Sequence, residues 1–265
     1  MNTSANKGKA LITGASSGIG AVYADRLAKR GYDLILVARD KTRLESLAAK
    51  LTADTGRQID IISADLTSKT DLRLIEEVLH RDGSINMLVN NAGTAAVTPL
   101  LASNMDKIDA MIDLNITALT RLAAAAAGNF VAQSKGTIIN IASIVALSPE
   151  ILNGSYSGSK AYVLNFTQSM HHELSSKGIR VQAVLPGATS TELWDRAGMS
   201  VSHLPAEIVM STDEMVDAAL SGLDQGEVIT IPSLPDMADW DRFNAARLQM
   251  GPNLSHKHAA SRYQA

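Results

Sequence analysis

The chain has 265 residues, of which 46% are hydrophobic and 19% are charged, a composition typical of a globular protein. It contains no cysteine, which excludes disulfide bridges, thiolate metal sites and cysteine nucleophiles. The formal net charge of −3 does not suggest nucleic acid or an anionic membrane as a partner. Because the start of the chain is polar and no long uninterrupted apolar run follows, we predict no secretory signal, no membrane span and a cytoplasmic location.

Short apolar runs alternate with longer stretches of helical character along the chain. Strands are predicted near residues 11–13, 33–38, 58–63, 85–90, 136–143, 179–185 and 227–231. Helices are predicted near residues 18–30, 41–53, 68–81, 104–127, 154–177 and 237–250. Because the strand runs are nearly continuous in valine, isoleucine and leucine, both of their faces should be buried, as in a parallel sheet. The alternation predicts an α/β protein with a doubly wound Rossmann fold, a seven-stranded parallel sheet with helices on both faces.

The chain is predicted to form a single domain over residues 1–265, because no linker rich in proline, glycine or serine divides it. Residues 9–231 would form the Rossmann core, and residues 232–265 a C-terminal helix and tail. Five consecutive alanines, residues 123–127, indicate a helix face that packs closely against a neighbour.

A glycine-rich turn follows the first predicted strand, with the sequence Thr13-Gly14-Ala15-Ser16-Ser17-Gly18-Ile19-Gly20. Its glycines permit a tight turn and let the main chain approach the diphosphate of a dinucleotide at a helix N-terminus. An ordinary strand–helix loop is the alternative. The string resembles the cofactor turn of the short-chain dehydrogenase/reductase family, classical type, and the resemblance extends from about residue 9 to about residue 231.

The end of the second strand distinguishes NAD from NADP. Ala38 stands where an NAD-preferring relative would carry an acidic residue, and Arg39 follows it. Arg39 can form charge-assisted hydrogen bonds with a 2′-phosphate, so we expect NADP(H) as the cofactor. Arg43 is a weaker candidate, and the alternative for Arg39 is a solvated residue paired with Asp40 or Glu45.

Ser143, Tyr156 and Lys160 are the candidate catalytic residues. The spacing of four residues places Tyr156 and Lys160 on one face of a helix. A nearby ammonium favours the phenolate, so Lys160 is expected to lower the pKa of Tyr156 from about 10. Tyr156 would exchange a proton with a carbonyl or alcohol oxygen, and Ser143 would donate a hydrogen bond to that oxygen. The resemblance adds Asn115, which would hold a water beside Lys160; an amide satisfied inside a helix bend is the alternative.

The resemblance also implies a set of cofactor contacts at the carboxyl ends of the strands. Besides Tyr156 and Lys160, they are Gly14, Ser16, Ser17, Gly18, Ile19, Gly20, Arg39, Asp65, Leu66, Asn91, Ala92, Gly93, Pro186, Gly187, Thr189 and Thr191. The candidate substrate pocket is mainly apolar, which favours a hydrophobic ketone or aldehyde; it consists of Thr94, Val145, Leu152, Trp194 and Met199. No metal site is expected, because the adjacent His171 and His172 do not share a helix face.

These residues together predict an NADP(H)-dependent carbonyl reductase or alcohol dehydrogenase that acts on a small molecule. A 3-oxoacyl-thioester reductase and a non-catalytic nucleotide-sensing regulator are the alternatives, although a regulator has no need of a proton-donating tyrosine. We expect a homodimer or homotetramer, because small residues on the two long helices suit close packing between subunits. The last predicted strand ends in Thr230-Ile231-Pro232-Ser233 instead of the family's frequent Val-Asp-Gly-Gly, which leaves dimer or tetramer open.

Overall fold

The structure, a computed structural model, describes residues 6–263. The chain divides between Pro232 and Ser233 into two compact units. The start of the chain, on which the expectation about a secretory signal depends, lies partly outside the described residues. Seven parallel strands of the first unit form one sheet in the order β3-β2-β1-β4-β5-β6-β7. They are β1 (Lys9–Thr13), β2 (Asp33–Ala38), β3 (Ile59–Ser63), β4 (Ile85–Asn90), β5 (Gly136–Ile141), β6 (Ile179–Val184) and β7 (Ile229–Thr230).

Helices cover both faces of this sheet, which confirms the predicted fold class. The helices of the first unit are α1 (Gly18–Lys29), α2 (Lys41–Thr55), α3 (Lys69–Arg81), α4 (Met105–Ile112), α5 (Leu119–Gln133), α6 (Gly154–Leu174), α7 (Leu193–Arg196) and α8 (Thr212–Gln225). One core contains residues of α1, α2 and α8, among them Tyr23, Leu44 and Met215. The other contains residues of α3, α5 and α6. The two cores bury both faces of the central strands, as their mainly apolar sequences predict.

The strand order reverses between β1 and β4, and this reversal positions the candidate site. From β1 the chain continues to β2 and β3 on one side, and from β4 to β5, β6 and β7 on the other. Helices leave β1 and β4 on opposite faces, so a crevice opens above the carboxyl ends of these strands. The glycine-rich turn and the segments after β4, β5 and β6 all lie at this edge.

One long helix, Met105–Gln133, joins α4 to α5 through a π-helical turn, Asp113–Ala118. By length and composition alone this helix could span a membrane. The buried side chains of its α5 part, including Leu122, Ala126 and Phe130, belong to the core that contains α3 and α6. Three residues of the alanine run, 123, 125 and 126, are buried in that core. These alanines therefore pack within their own chain and are not available for the contact between subunits that the sequence suggested for them.

The second unit, from Ser233 onward, contains α9 (Ala238–Gln249) followed by short 3₁₀ turns. The helix lies within the predicted range of residues 237–250. Its Trp240 ring packs against Phe243 with ring centres 5.6 Å apart.

Candidate active site

The glycine-rich turn after β1 has a main-chain geometry that larger residues could not adopt. Gly14 and Gly18 have φ angles of +65° and +54°. A Cβ atom on Gly20 would lie 2.3 Å from the Gly14 carbonyl oxygen, so no side chain fits there without moving the turn. The turn therefore keeps its main chain bare and exposed to the crevice.

Helix α1 begins at this turn without a side-chain cap. Ser17 occupies the N-cap position but accepts no cap hydrogen bond, and the first turn carries no acidic residue. The Ser17 hydroxyl instead accepts a hydrogen bond from Arg196 Nη2 at 3.2 Å. Ser16 is half-buried beside it, and the Ile19 side chain packs against the core. The N–H groups and positive dipole of α1 thus remain available to an anion.

Asn91 ties the end of β4 to the glycine-rich turn. Its Nδ2 donates to the carbonyl oxygens of Thr13 at 2.9 Å and Gly14 at 3.2 Å. The Thr13 hydroxyl in turn accepts hydrogen bonds from the N–H groups of Asn91 and Ala92, each at 3.0 Å. These bonds hold the two strand ends at the crevice in a fixed relation.

Arg39 is exposed at the end of β2, and its guanidinium forms no ion pair within residues 6–263. The pairs considered for it from the sequence are absent from this range, because Asp40 pairs with Arg43 and Glu45 with the first residue of α2. Arg43 also donates to both carboxylate oxygens of Glu192, at 2.9 and 2.8 Å. Of the two arginines, Arg39 is therefore the one with free donors.

Asp65 and Leu66 follow β3, and both side chains have partners within the protein. Asp65 Oδ1 accepts hydrogen bonds from the Thr67 N–H at 3.0 Å and from the Thr67 hydroxyl at 2.8 Å. Partial burial tends to raise the pKa of Asp65, but these bonds and the charge of Arg39 outweigh it and lower the pKa. The Leu66 side chain is buried in the core.

Tyr156 lies in the first turn of α6 and is only 6% exposed. Burial raises the pKa of Tyr156 to about 12, although an interaction with the Ser143 side chain acts in the opposite direction. Ser143 lies two residues after β5 and is buried. Its hydroxyl donates a hydrogen bond to the Pro186 carbonyl at 3.4 Å and accepts one from the Val145 N–H at 3.3 Å. The structure thus places the serine and the tyrosine together, as their predicted roles require.

Lys160 is buried one turn after Tyr156, and its Nζ lies 5.9 Å from the centre of the Tyr156 ring. Nζ donates a hydrogen bond to the Ile141 carbonyl at 3.0 Å. Burial lowers the pKa of Lys160 to about 8, because the ammonium has lost its water. The expectation that this lysine lowers the pKa of Tyr156 is wrong: desolvation of the phenol dominates and raises it.

Asn115 lies in the π-helical turn and is 1% exposed. Its Nδ2 donates to the Thr94 carbonyl at 2.9 Å and to Ser159 Oγ at 3.1 Å, and its Oδ1 accepts from the Thr94 N–H at 3.0 Å. A Cβ atom on Gly93 would lie 3.1 Å from Asn115 Oδ1 and 3.6 Å from Lys160 Nζ. Asn115 and Lys160 therefore both flank the bare main chain of Gly93, and π-helical turns of this kind are frequent at functional sites.

The segment after β6 reaches back to the glycine-rich turn. The Thr189 hydroxyl donates to the Gly187 carbonyl at 3.2 Å, and Trp194 Nε1 donates to the Thr189 carbonyl at 2.9 Å. The Thr191 methyl group would lie 3.3 Å from a Cβ atom on Gly18. This segment consequently extends from the end of β6 past the glycine-rich turn to α2, where Glu192 pairs with Arg43.

Apolar side chains surround Tyr156. The cluster consists of Ile108, Met111, Val145 and Tyr156, with Ala95, Ala96 and Leu152 packed against it. Val145 and Leu152 were predicted for the pocket, whereas Trp194 and Met199 are not members of this cluster of described residues. Ile108 and Met111 were not predicted for the pocket, although their spacing of three residues on α4 is typical of a buried helix face.

Comparison with known proteins places the chain in a family. The model of the short chain dehydrogenase family matches residues 8–200. The chain belongs to the short chain dehydrogenase family. A short-chain dehydrogenase from Sphingobium yanoikuyae, solved in complex with NADPH, is 49% identical with a TM-score of 0.94, over 97% of this chain and 99% of that one.

Two further proteins are similar to this short chain dehydrogenase. The bulky-bulky ketone specific alcohol dehydrogenase from Comamonas testosteroni is 45% identical with a TM-score of 0.91, over 98% of this chain and 100% of that one. The 17-beta-hydroxysteroid dehydrogenase type 3 of Homo sapiens is 35% identical over 217 residues, 80% of this chain and 67% of the human protein.

The crevice of this short chain dehydrogenase fits a dinucleotide. The crowded Cβ positions of Gly14 and Gly20 keep a cradle open next to the uncapped N-terminus of α1. The N–H groups there suit a diphosphate, and the free guanidinium of Arg39 lies beyond the end of the neighbouring strand β2. These hydrogen-bond donors would suit an anionic ligand that lies across the carboxyl ends of β1 and β2.

Proposed function

We propose that this short chain dehydrogenase is an NADP(H)-dependent oxidoreductase that interconverts a bulky hydrophobic ketone or aldehyde and the corresponding alcohol. The observation that carries the proposal is the joint burial of Ser143, Tyr156 and Lys160 at the dinucleotide crevice, with Tyr156 inside an apolar cluster. The two similar solved proteins, one in complex with NADPH and one specific for bulky ketones, support the same cofactor and substrate class.

The crevice residues would hold the dinucleotide as follows. The glycine-rich turn and the N-terminus of α1 would bind the diphosphate, and Arg39 would bind the 2′-phosphate. Thr189 and Thr191, on the other side of the turn, would orient the nicotinamide carboxamide. NADPH, when bound, supplies the hydride that reduces a carbonyl group.

Tyr156 is the proposed general acid and base. With a pKa of about 12 the phenol is neutral at physiological pH, so it can donate its proton to a carbonyl oxygen that is gaining negative charge. Ser143 donates a hydrogen bond to the same oxygen, and the surrounding apolar side chains exclude water and strengthen both interactions. Alcohol oxidation requires the phenolate, so we expect it to need a more alkaline solution than ketone reduction.

Lys160 and Asn115 are proposed to support Tyr156. With a pKa of about 8, Lys160 is mainly protonated at pH 7, and only a small rise in pH is needed to deprotonate it. Such a group can return a proton to Tyr156 after each turnover. Asn115, anchored by Thr94 and Ser159, would hold a water at Gly93 that connects Lys160 to solvent.

A panel of ketones tested with NADPH and NADH, followed by nicotinamide absorbance, examines the proposal. We expect NADPH-dependent reduction of hydrophobic ketones, and a Tyr156→Phe variant that binds NADPH but loses nearly all turnover. Tyr162→Phe is the matched control: Tyr162 lies on the same helix, and its hydroxyl contacts Thr120 on α5. Near-parent kcat in Tyr156→Phe would refute the assigned acid.

The same panel separates the alternative functions. A 3-oxoacyl-thioester reductase would reduce acetoacetyl-CoA faster than any simple ketone. A nucleotide-sensing regulator would bind NADPH with the same affinity in the parent and in Tyr156→Phe but would turn over no substrate.

Self-association through α5 and α6 and a cytoplasmic location also remain predictions. Both helices carry exposed glycines, and a Cβ atom on Gly128 or Gly158 would meet no atom within 4 Å. Such bare positions allow close approach of a helix from a second subunit. Sedimentation at micromolar concentration should show a dimer or tetramer, and a species of only 28.1 kDa would reject the prediction.

A further inference from the structure

A short segment between β4 and α4, residues 94–103, forms one wall of the apolar cluster around Tyr156. Ala95 and Ala96 of this segment pack against the cluster. At its far end Leu100 is 64% exposed and Leu101 is fully exposed. The segment thus presents small apolar side chains to the cluster around the tyrosine and large apolar side chains to solvent.

Asn153 connects this segment to the helix that carries Tyr156. Asn153 is 5% exposed and is the N-cap of α6, where its Oδ1 accepts a hydrogen bond from the Ser155 N–H at 2.8 Å. Its Nδ2 donates to the Thr98 carbonyl at 2.6 Å and to the Ser103 hydroxyl at 3.1 Å. One side chain therefore begins α6 three residues before Tyr156 and also holds the opposite wall.

These bonds are the main polar attachment of the wall. Within residues 6–263, no other hydrogen bond joins residues 95–103 to a different element; Thr94, at the start, is held by Asn115. The Ser103 hydroxyl reinforces the segment internally by donating to the Thr98 and Pro99 carbonyls, at 3.2 and 3.1 Å. The segment is therefore internally braced, and Asn153 sets where it lies.

We propose that Asn153 is a positioning residue that determines the width of the site between Tyr156 and the 94–103 segment, and thereby the preference for bulky hydrophobic ketones. This inference rests on the proposed function. A bulky ketone must contact the wall over a large apolar area, so its binding depends on the wall's position. A small ketone touches few of these atoms and depends mainly on Tyr156 and Ser143.

The test compares Asn153→Ser with the parent, using phenyl butyl ketone and acetone as substrates. Serine can still cap α6, but its short side chain cannot reach the Thr98 carbonyl. We expect kcat/KM for phenyl butyl ketone to fall about tenfold, mostly through KM, which corresponds to about 1.4 kcal/mol. For acetone and for NADPH we expect changes of less than about twofold. Asn153→Asp, which keeps the shape and the cap but has no N–H donor, should reproduce the loss.

Asn129→Ser is the matched control. Asn129 Nδ2 also donates to two acceptors, the carbonyls of Leu79 and Asp82 at 2.8 and 3.1 Å. These carbonyls precede β4, at the edge of the sheet opposite to the candidate site. The control therefore also removes two hydrogen bonds donated by an asparagine side chain, but at a distance from the site. It should lower the stability of the protein without changing the ratio of kcat/KM between the two ketones.

An unchanged ratio in Asn153→Ser, or an equal change in Asn129→Ser, would overturn the inference. Hydrogen exchange provides a readout that does not depend on turnover: residues 94–103 should exchange faster in Asn153→Ser and not in Asn129→Ser. If the parent reduces neither ketone with NADPH, the proposed function fails, and the specificity role fails with it. Unchanged exchange in an active enzyme would overturn only the role of Asn153.

Discussion

Replacement of Lys160 by Met should make the protein more stable at neutral pH while it removes the proposed activity. Burial lowers the pKa of Lys160 from 10.5 to about 8, because the ammonium is separated from water. At about 1.36 kcal/mol for each pKa unit, the charged lysine costs about 3 kcal/mol of folding free energy near pH 7. Loss of the hydrogen bond to the Ile141 carbonyl offsets about 1 kcal/mol, so the expected net gain is about 2 kcal/mol.

The pH dependence tests the physical cause. Because the pKa of Lys160 is lower in the folded state, the unfolded chain binds the extra proton between about pH 8 and about pH 10.5, and the parent gains stability as the pH rises. The free energies of unfolding of the parent and of Lys160→Met can be compared by urea unfolding without added nucleotide. Between about pH 7 and about pH 9.5, the difference between them should change by about 2 kcal/mol in favour of the parent. A difference that is independent of pH would refute a desolvated ammonium at this position.

Further substitutions test the cofactor preference, a buried hydroxyl and the glycine-rich turn. Arg39→Ala should lower kcat/KM with NADPH by about one to two decades and leave NADH nearly unaffected, since a hydrogen bond to a charged group contributes about 1.5–3 kcal/mol. The double variant with Ala38→Asp should invert the preference, and equal kcat/KM of the parent with both cofactors would contradict the role of Arg39. Tyr23→Phe removes a fully buried hydroxyl that has no hydrogen-bond partner among the described residues, and urea unfolding should show a gain of about 1 kcal/mol; a loss would reveal a hidden partner. Gly20→Ala should weaken NADPH binding in a fluorescence titration at least about tenfold, because its Cβ would lie 2.3 Å from a carbonyl oxygen of the same turn. Gly83→Ala, in the exposed turn before β4 where a Cβ would meet no atom within 4 Å, should bind NADPH normally.

The strands illustrate how far local sequence determines the fold. The mainly apolar runs at residues 33–38 and 85–90 coincide with β2 and β4, because a strand buried on both faces must be apolar at most of its positions. The run at residues 227–231 predicts a strand of five residues, but β7 pairs over only Ile229 and Thr230. This edge strand has one neighbour, β6, and its length depends on that pairing, which a local pattern cannot reveal.

At the candidate site, too, some features follow from local sequence and others only from the tertiary structure. The sequence by itself indicated the type of sheet, the glycine-rich turn and the spacing of Tyr156 and Lys160, because these depend on residues close together in the chain. Only the tertiary structure decided that burial outweighs charge at Tyr156, that Glu192 engages Arg43, and that Asn153 holds the wall of the pocket. Desolvation and hydrogen bonding depend on which side chains from distant segments are in contact, and a local sequence pattern does not predict those contacts.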